Sequence, residues 1–201
     1  ASLGKDIRIG MPLGLGKPVE LVNAFYTLAK ADPTLQLTIL TALSLEKPRP
    51  ATALEAAFMG PFLERVFGDT PELEYAGDQT AKKVPANVRV VEFFFKPGSR
   101  LGCVDAQRDY ISTNYTHAAR DVFNQGCNFS AQLICIRETA AASRYSLSCN
   151  PDNSPEFIEL LRASGRPHVV LGQIYQLVPD MDNAAEVEPT SFERVCDRAL
   201  H

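Results

Sequence analysis

The sequence predicts an α/β protein built as a three-layer αβα sandwich with a mainly parallel sheet, and three observations carry that expectation. Continuous apolar runs rich in Val, Ile and Phe occur at 88–95, 129–136 and 169–174, as in strands covered on both faces. Alternation of polar and apolar residues marks 6–9 and 35–39, the period of half-buried strands. Helical spacing lies between these runs, so strand and helix alternate from the first residues to about position 175. That order suits parallel strands joined by helical crossovers.

Each element follows in turn. The first strand runs into Gly10-Met11-Pro12-Leu13-Gly14-Leu15-Gly16-Lys17-Pro18. A helix from about Pro18 to Lys30 then carries Val22, Phe25 and Ala29 on one stripe, with Leu21 and Leu28 beside them. Short polar breaks fall at 46–52 and 150–154, and a longer one at 70–87, containing Gly77 and Pro85, reads as a loop. The clearest helix covers 155–164. Ser154 is a ready N-cap, Pro155 fits the first turn, Glu156 suits the helix dipole, and Gly165 stops the helix.

At 201 residues and 22.0 kDa, the chain is sized for one domain, 1–201, exposing roughly 9,000 Å² when folded. Hydrophobic residues make up 45% and charged residues 22%, which excludes disorder, collagen and coiled coil. The most apolar run, 35–45, is broken by Gln36, Thr38, Thr41 and Ser44, so no membrane span is expected, and no secretory signal is visible. The net charge is −4 and no basic cluster exceeds Lys82-Lys83, so no nucleic-acid partner is expected. Cys103, Cys127, Cys135, Cys149 and Cys196 are odd in number and contain no C-x-x-C pair. They read as free thiols of a reducing cytoplasm. The start at Ala1 and the stop after Asp197-Arg198-Ala199-Leu200-His201, without a cap signal, read as a piece of a longer chain.

The glycine-rich turn is the first candidate site. It follows a strand and opens a helix, where backbone N–H groups meet anions and strand ends meet ligands. It is not a P-loop, because Gly10 lies one residue too far from Gly16 and Pro18 replaces the hydroxyl residue. Nor is it a dinucleotide fingerprint, since Val19 stands where Gly14-x-Gly16 needs a third glycine. A plain glycine-rich turn is the alternative. The second candidate is the polar segment 110–117, with Asn114, Tyr115, Thr116 and His117. It reads either as a binding loop or as a helix start capped by Ser112, Thr113 or Thr116. His168 reads as a surface residue and His201 is terminal; no G-x-S-x-G motif or metal-ligand spacing occurs.

Two segments together resemble the amino-terminal half of the acetyl-CoA hydrolase/transferase family, relatives of the 4-hydroxybutyrate and succinyl CoA-transferases. Ile9-Gly10 through Gly14-Leu15-Gly16-Lys17-Pro18 and the helix after it resemble the family's opening strand, glycine loop and helix. Gly165-Arg166-Pro167-His168-Val169-Val170-Leu171-Gly172-Gln173-Ile174, ending near Pro179-Asp180-Met181, resembles its strand leading into an "E/Q-V-N-x-x-M-P" element. Between them, 110–117 lies where members carry a "P-x-H-x-S" segment, and 128–136 lies where they carry a buried strand. The departures are Tyr175 in place of the asparagine and Ser148-Cys149 in place of the "S-L-G" ending after Leu147.

The resemblance implies a CoA-transferase fold and coenzyme A, as acyl-CoA, for substrate, with no metal. Gly14, Leu15, Gly16 and Lys17 are then the oxyanion and CoA-binding residues, with Asn114, Tyr115 and Thr116 for substrate binding. Lys17 is expected either near a CoA phosphate or in solvent. The partners implied are a carboxylate acceptor or water, the carboxyl-terminal half, and a possible second copy of the full-length protein. The family's nucleophile is a glutamate beside Gly, Ser or Asn. None of the 13 glutamates here is followed by Gly or Asn or preceded by Gly or Ser, so no catalytic residue is expected in this chain. A catalytically silent metabolite-binding or regulatory module on the same fold is the rival reading. A sugar-phosphate isomerase relative is disfavoured by the lack of a D-G-A-D-like run.

Overall fold

A computed structural model describes residues 3–138, 142–149, 151–182 and 185–197. Ala1, Asn150, Arg198, Ala199, Leu200 and His201, which the sequence reading names or spans, lie outside them. The strands are β1 (Asp6–Gly10), β2 (Gln36–Thr41), β3 (Val88–Glu92), β4 (Phe129–Glu138), β5 (Ser143–Ser146), β6 (Val169–Ile174), β7 (Glu186–Val187) and β8 (Arg194–Asp197). The helices are α1 (Val19–Ala31), α2 (Ala53–Phe67), α3 (Glu74–Ala81), α4 (Val104–Arg108), α5 (Ala118–Asn124) and α6 (Ser154–Ala163).

Six strands pair in parallel in the order β3-β2-β1-β4-β6-β8. β4 is long enough to serve two partners. Its first part, Phe129 to Ile134, pairs with β6 in parallel, and Cys135 to Glu138 pair antiparallel with β5, which in turn pairs with β7. The expected α/β class with a mainly parallel sheet is what the chain adopts.

Over these runs the strands are apolar, apart from Arg89, Glu92, Ser130, Gln132 and Gln173, because both faces are covered. Ile9, Ile39, Val90 and Phe129 join Val22, Tyr26, Tyr75 and Ala76 of α1 and α3 in one core. Leu40, Val91 and Ile134 join Ala118, Val122, Phe157 and Leu161 of α5 and α6 in the other. Neighbouring residues such as Ile39 and Leu40 point to opposite faces, as the strand period requires.

Four local expectations change. The segment 70–87 holds α3, whose Tyr75, Ala76 and Gln79 are buried. The intervening polar residues hid that short helical pattern. β3 ends at Glu92, and Phe94 beyond it is exposed. On α1, Tyr26 takes the buried place beside Val22 and Ala29 while Leu28 is exposed. Asn153, not Ser154, is the N-cap of α6, and it makes no side-chain cap bond; Gly165 does follow the helix in the left-handed region at φ 64°.

Gly10 closes β1 against α6. A Cβ there would stand 2.9 Å from Phe157 Cε1 and 3.0 Å from Cys127 Sγ, whereas one on Gly77 in α3 would meet nothing within 4 Å. Gly10→Ala should therefore cost about 1–3 kcal/mol in urea unfolding, and Gly77→Ala should gain about 0.5–1 kcal/mol.

Candidate ligand-binding site

β1 and β4 are neighbours, but the chain leaves β1 towards one sheet edge, and the strands after β4 build the other. Their connections part at the carboxyl ends, which opens a crevice at this switch point. A cavity of about 360 Å³ lies there, and Gly14, Leu15, Gly16 and Lys17 all line it. Val66 and Phe67 at the end of α2, Leu133 of β4, Leu147 to Cys149 after β5, and Leu177 after β6 form part of its wall, with 70–73 alongside.

The glycine loop is one 3-10 turn, Gly14–Gly16, with Gly14 at φ 51°. Its three amides are not equivalent. Gly16 N–H donates to Leu13 O at 3.2 Å, so it is spent within the turn, contrary to the expectation of three free donors. The amides of Gly14 and Leu15 have no acceptor within the described residues. Leu13 N–H donates to Asp152 Oδ2 at 2.7 Å, and the other carboxylate oxygen accepts from the Tyr115 hydroxyl at 2.6 Å. Asp152 therefore anchors the front of the turn.

Lys17 takes neither of its two expected places. It is 2% exposed, and its Nζ donates to Pro12 O at 2.7 Å, Thr41 Oγ1 at 2.8 Å and Ala42 O at 2.6 Å. An ammonium has three protons, and all three are used. Burial pulls its pKa down to about 7, with the charges of Glu92 and Asp152 opposing that shift. The side chain ties the glycine loop to the end of β2 and leaves no proton for a phosphate.

Asn114, Tyr115 and Thr116 do not line the cavity. They open α5 through a 3-10 turn, Tyr115–His117, with Thr116 Oγ1 donating to Asn114 Oδ1 at 2.7 Å and Thr113 Oγ1 bonded to Asp121. They lead into a helix, but its N-cap is His117, and none of Ser112, Thr113 and Thr116 makes the expected cap bond. Tyr115 reaches the site only through Asp152, and burial together with that carboxylate pushes its phenol pKa up, which keeps it a donor.

The sequence reading did not select Ser148. It lines the cavity, is 4% exposed, and has a buried Oγ without a hydrogen-bond partner. Its φ of 62° is in the left-handed region, which costs a non-glycine residue about 1 kcal/mol. The signal was the departure from the "S-L-G" ending. Lys47 and Arg65 also line the cavity as cations, with the acids Glu20 and Glu72 on the same wall. All five cysteines are free thiols; Cys127 and Cys135 are buried, but Cys149 is exposed on the cavity wall. Burial pushes the Cys127 thiol up to about 12. Among the described residues no cluster of His, Cys, Asp or Glu is arranged to hold a metal, and no helix is long and apolar enough to cross a membrane.

No protein-family model matches the chain, and no curated protein matches it. Solved structures do. RipA from Yersinia pestis superposes with a TM-score of 0.61 at 12% identity, over 99% of this chain and 40% of RipA. A RipA point mutant gives 0.64 at 11% identity, over 99% and 39%. The 4-hydroxybutyrate CoA-transferase from Porphyromonas gingivalis gives 0.53 at 13% identity, over 98% and 36%. The fold is CoA-transferase-like. This chain spans about two fifths of the length of these structures. At such identities the likeness is one of fold, and a CoA-transferase-like fold alone assigns no residue a role.

The buried amine makes stability depend on pH. Lys17 holds its proton less tightly folded than unfolded, so the unfolded chain binds more protons above pH 7, and stability rises with pH. Between pH 7 and about 8.5 the gain should be roughly 1.5 kcal/mol in urea unfolding. The slope should vanish in Lys17→Met.

Proposed function

We propose that the chain supplies the glycine-loop half of an acyl-CoA hydrolase or CoA-transferase, with a glutamate nucleophile carried by a part of the protein beyond these 201 residues. The observation that carries this reading is the pair of unpartnered amides, Gly14 and Leu15, on a cavity at the switch point of a CoA-transferase-like sheet. Leu15 is 61% exposed and Gly14 half-buried, so these amides are open to the cavity, and a pair of donors on a cavity wall suits an oxygen that gains charge.

In this reading the thioester oxygen lies against Gly14 N–H and Leu15 N–H, with Ser148 Oγ–H as a third donor. The glutamate carboxylate attacks the thioester carbon, and negative charge collects on that oxygen. Collapse expels CoA thiolate and leaves an acyl–glutamyl anhydride. The thiolate then attacks the glutamyl carbonyl, releasing the acyl group as its carboxylate and forming a glutamyl-CoA thioester. A second carboxylate takes CoA through the reverse steps, or water hydrolyses the thioester. Leu133 and Leu147 give the acyl chain an apolar wall, and Lys47, with Arg65 also on the lining, suits a CoA phosphate. Lys17, Asp152 and Tyr115 hold the turn in shape without touching substrate.

The chain alone should bind acetyl-CoA and release thiol at well under about 1 s⁻¹, the low end of enzyme turnover, when free thiol is followed after mixing. Faster release would place the nucleophile among the 13 glutamates here. Ser148→Gly removes both the left-handed side chain and the orphaned hydroxyl. It should raise stability by about 1 kcal/mol while weakening acetyl-CoA binding several-fold by calorimetry. Opposite effects on stability and binding are the signature of a residue kept for its site. Unchanged binding would favour the silent-module reading with a different ligand.

A further inference from the structure

α2 lies on the outside of the molecule with no buried residue along its 15 positions. Leu54, Phe58, Phe62 and Val66 are 81%, 85%, 57% and 44% exposed, four large apolar residues at i, i+4, i+8 and i+12. A helix of this kind normally buries such a row. Met59, Leu63 and Phe67 on the neighbouring row are only partly covered by the body of the protein. The whole chain exposes 11144 Å², roughly a fifth more than a compact monomer of its mass.

The order of residues along this face names its occupant. At about 100° per residue, Phe58 and Phe62 straddle one line along α2, with Leu54 and Val66 farther out on either side. Glu55 and Arg65 flank the same line, one on each side and one towards each end. A second α2 laid antiparallel across this face, related by a twofold axis between Phe58 and Phe62, sets each residue i against residue 120 − i. Phe58 then meets the partner's Phe62, Leu54 meets the partner's Val66, and Glu55 meets the partner's Arg65. Apolar faces apolar and acid faces base at every position of the stripe, which is the self-complementarity an isologous contact requires. A parallel pair in register would set Glu55 against Glu55 and Arg65 against Arg65.

We propose that α2 is the contact of a symmetric dimer in which two copies of this chain pair their α2 helices antiparallel. Phe58 and Phe62 form the centre, and two Glu55–Arg65 pairs form the rim. The buried area is small, since two phenylalanines, Leu54, Val66 and the flanking residues amount to about 1,000 Å² over both copies. The dimer is therefore in the micromolar range. Val66 also lines the cavity, so the partner's Leu54 lies at the mouth of the ligand site, and each copy narrows the other's entrance. The dimer does not depend on the proposed chemistry.

Sedimentation equilibrium of the 201-residue chain from about 1 to 200 μM, the range such an interface requires, should show a reversible dimer. Phe58→Ser should weaken it about thirtyfold, as loss of a central aromatic does. Far-UV circular dichroism should stay unchanged because Phe58 is 85% exposed; Phe62→Ser replaces it if it does not. Arg65→Glu should weaken self-association several-fold, since it sets like charges opposite one another, and Glu55→Arg at least as much, since it also removes the carboxylate that accepts from Ala51 N–H at 2.7 Å. An equimolar mixture of these two variants should form heterodimers in preference to either homodimer, because acid again meets base. A monomer throughout the range, a dimer indifferent to Phe58→Ser, or a mixture that shows no preference would each overturn the proposal. The first result is also what a face covered by further residues of a longer chain would give.

Discussion

β1 is held to β2 by five register pairs but to β4 by only two, Ile9 with Phe129 and Gly10 with Ser130. Both halves of the parallel sheet meet at this short seam, and side chains extend it. Asn128 Oδ1 accepts from Arg8 N–H at 2.9 Å, and Asn128 Nδ2 donates to Asp6 O at 2.9 Å. One asparagine side chain thus stands in for a further stretch of strand. Because β1 and β4 must lie together while their connections run to opposite edges, the crevice exists wherever this order exists. The site is a consequence of topology before it is a consequence of residue choice.

Residue choice then decides what the crevice can hold. Three contacts freeze the turn after β1: Lys17 from beneath, Asp152 through Leu13 N–H, and the Gly16 amide within the turn itself. What remains free is two consecutive amides and the hydroxyl of Ser148. Donors held by a rigid frame need no reorganisation when charge appears near them. The buried Lys17 amine and the left-handed Ser148 both cost stability, and both lie on this cavity. Strain concentrated at a cleft is what a binding site leaves in a fold.

Much of the sheet was legible. The Val- and Ile-rich runs marked strands buried on both faces, and 169–174 was placed to the residue. α3 was not legible, because Tyr75, Ala76 and Gln79 are its buried residues and two of them are polar or amphipathic. Lys17 was misplaced because a lysine after glycines reads as an anion ligand, and no local pattern shows that Pro12, Thr41 and Ala42 will surround its amine. Those partners come from the loop after β1 and from the end of β2. Tyr110 to His117 looked like a binding loop for the same reason. Polar side chains that bond one another ahead of a helix, as Thr116 does with Asn114 and Thr113 with Asp121, and ones that hold a ligand have the same composition, and only the position of the cavity separates them.

The central claim is that the Gly14 and Leu15 amides receive the acyl oxygen. It is tested most directly by amide nitrogen–proton NMR of the chain titrated with acetyl-CoA. The account predicts that the Gly14 and Leu15 resonances move downfield as hydrogen bonds form, with Ser148 and Lys47 also affected, while Gly16, already bonded to Leu13 O, moves least of the turn. Shifts confined to residues outside this crevice, or a Gly14–Leu15 pair that stays still at saturating acetyl-CoA, would contradict it.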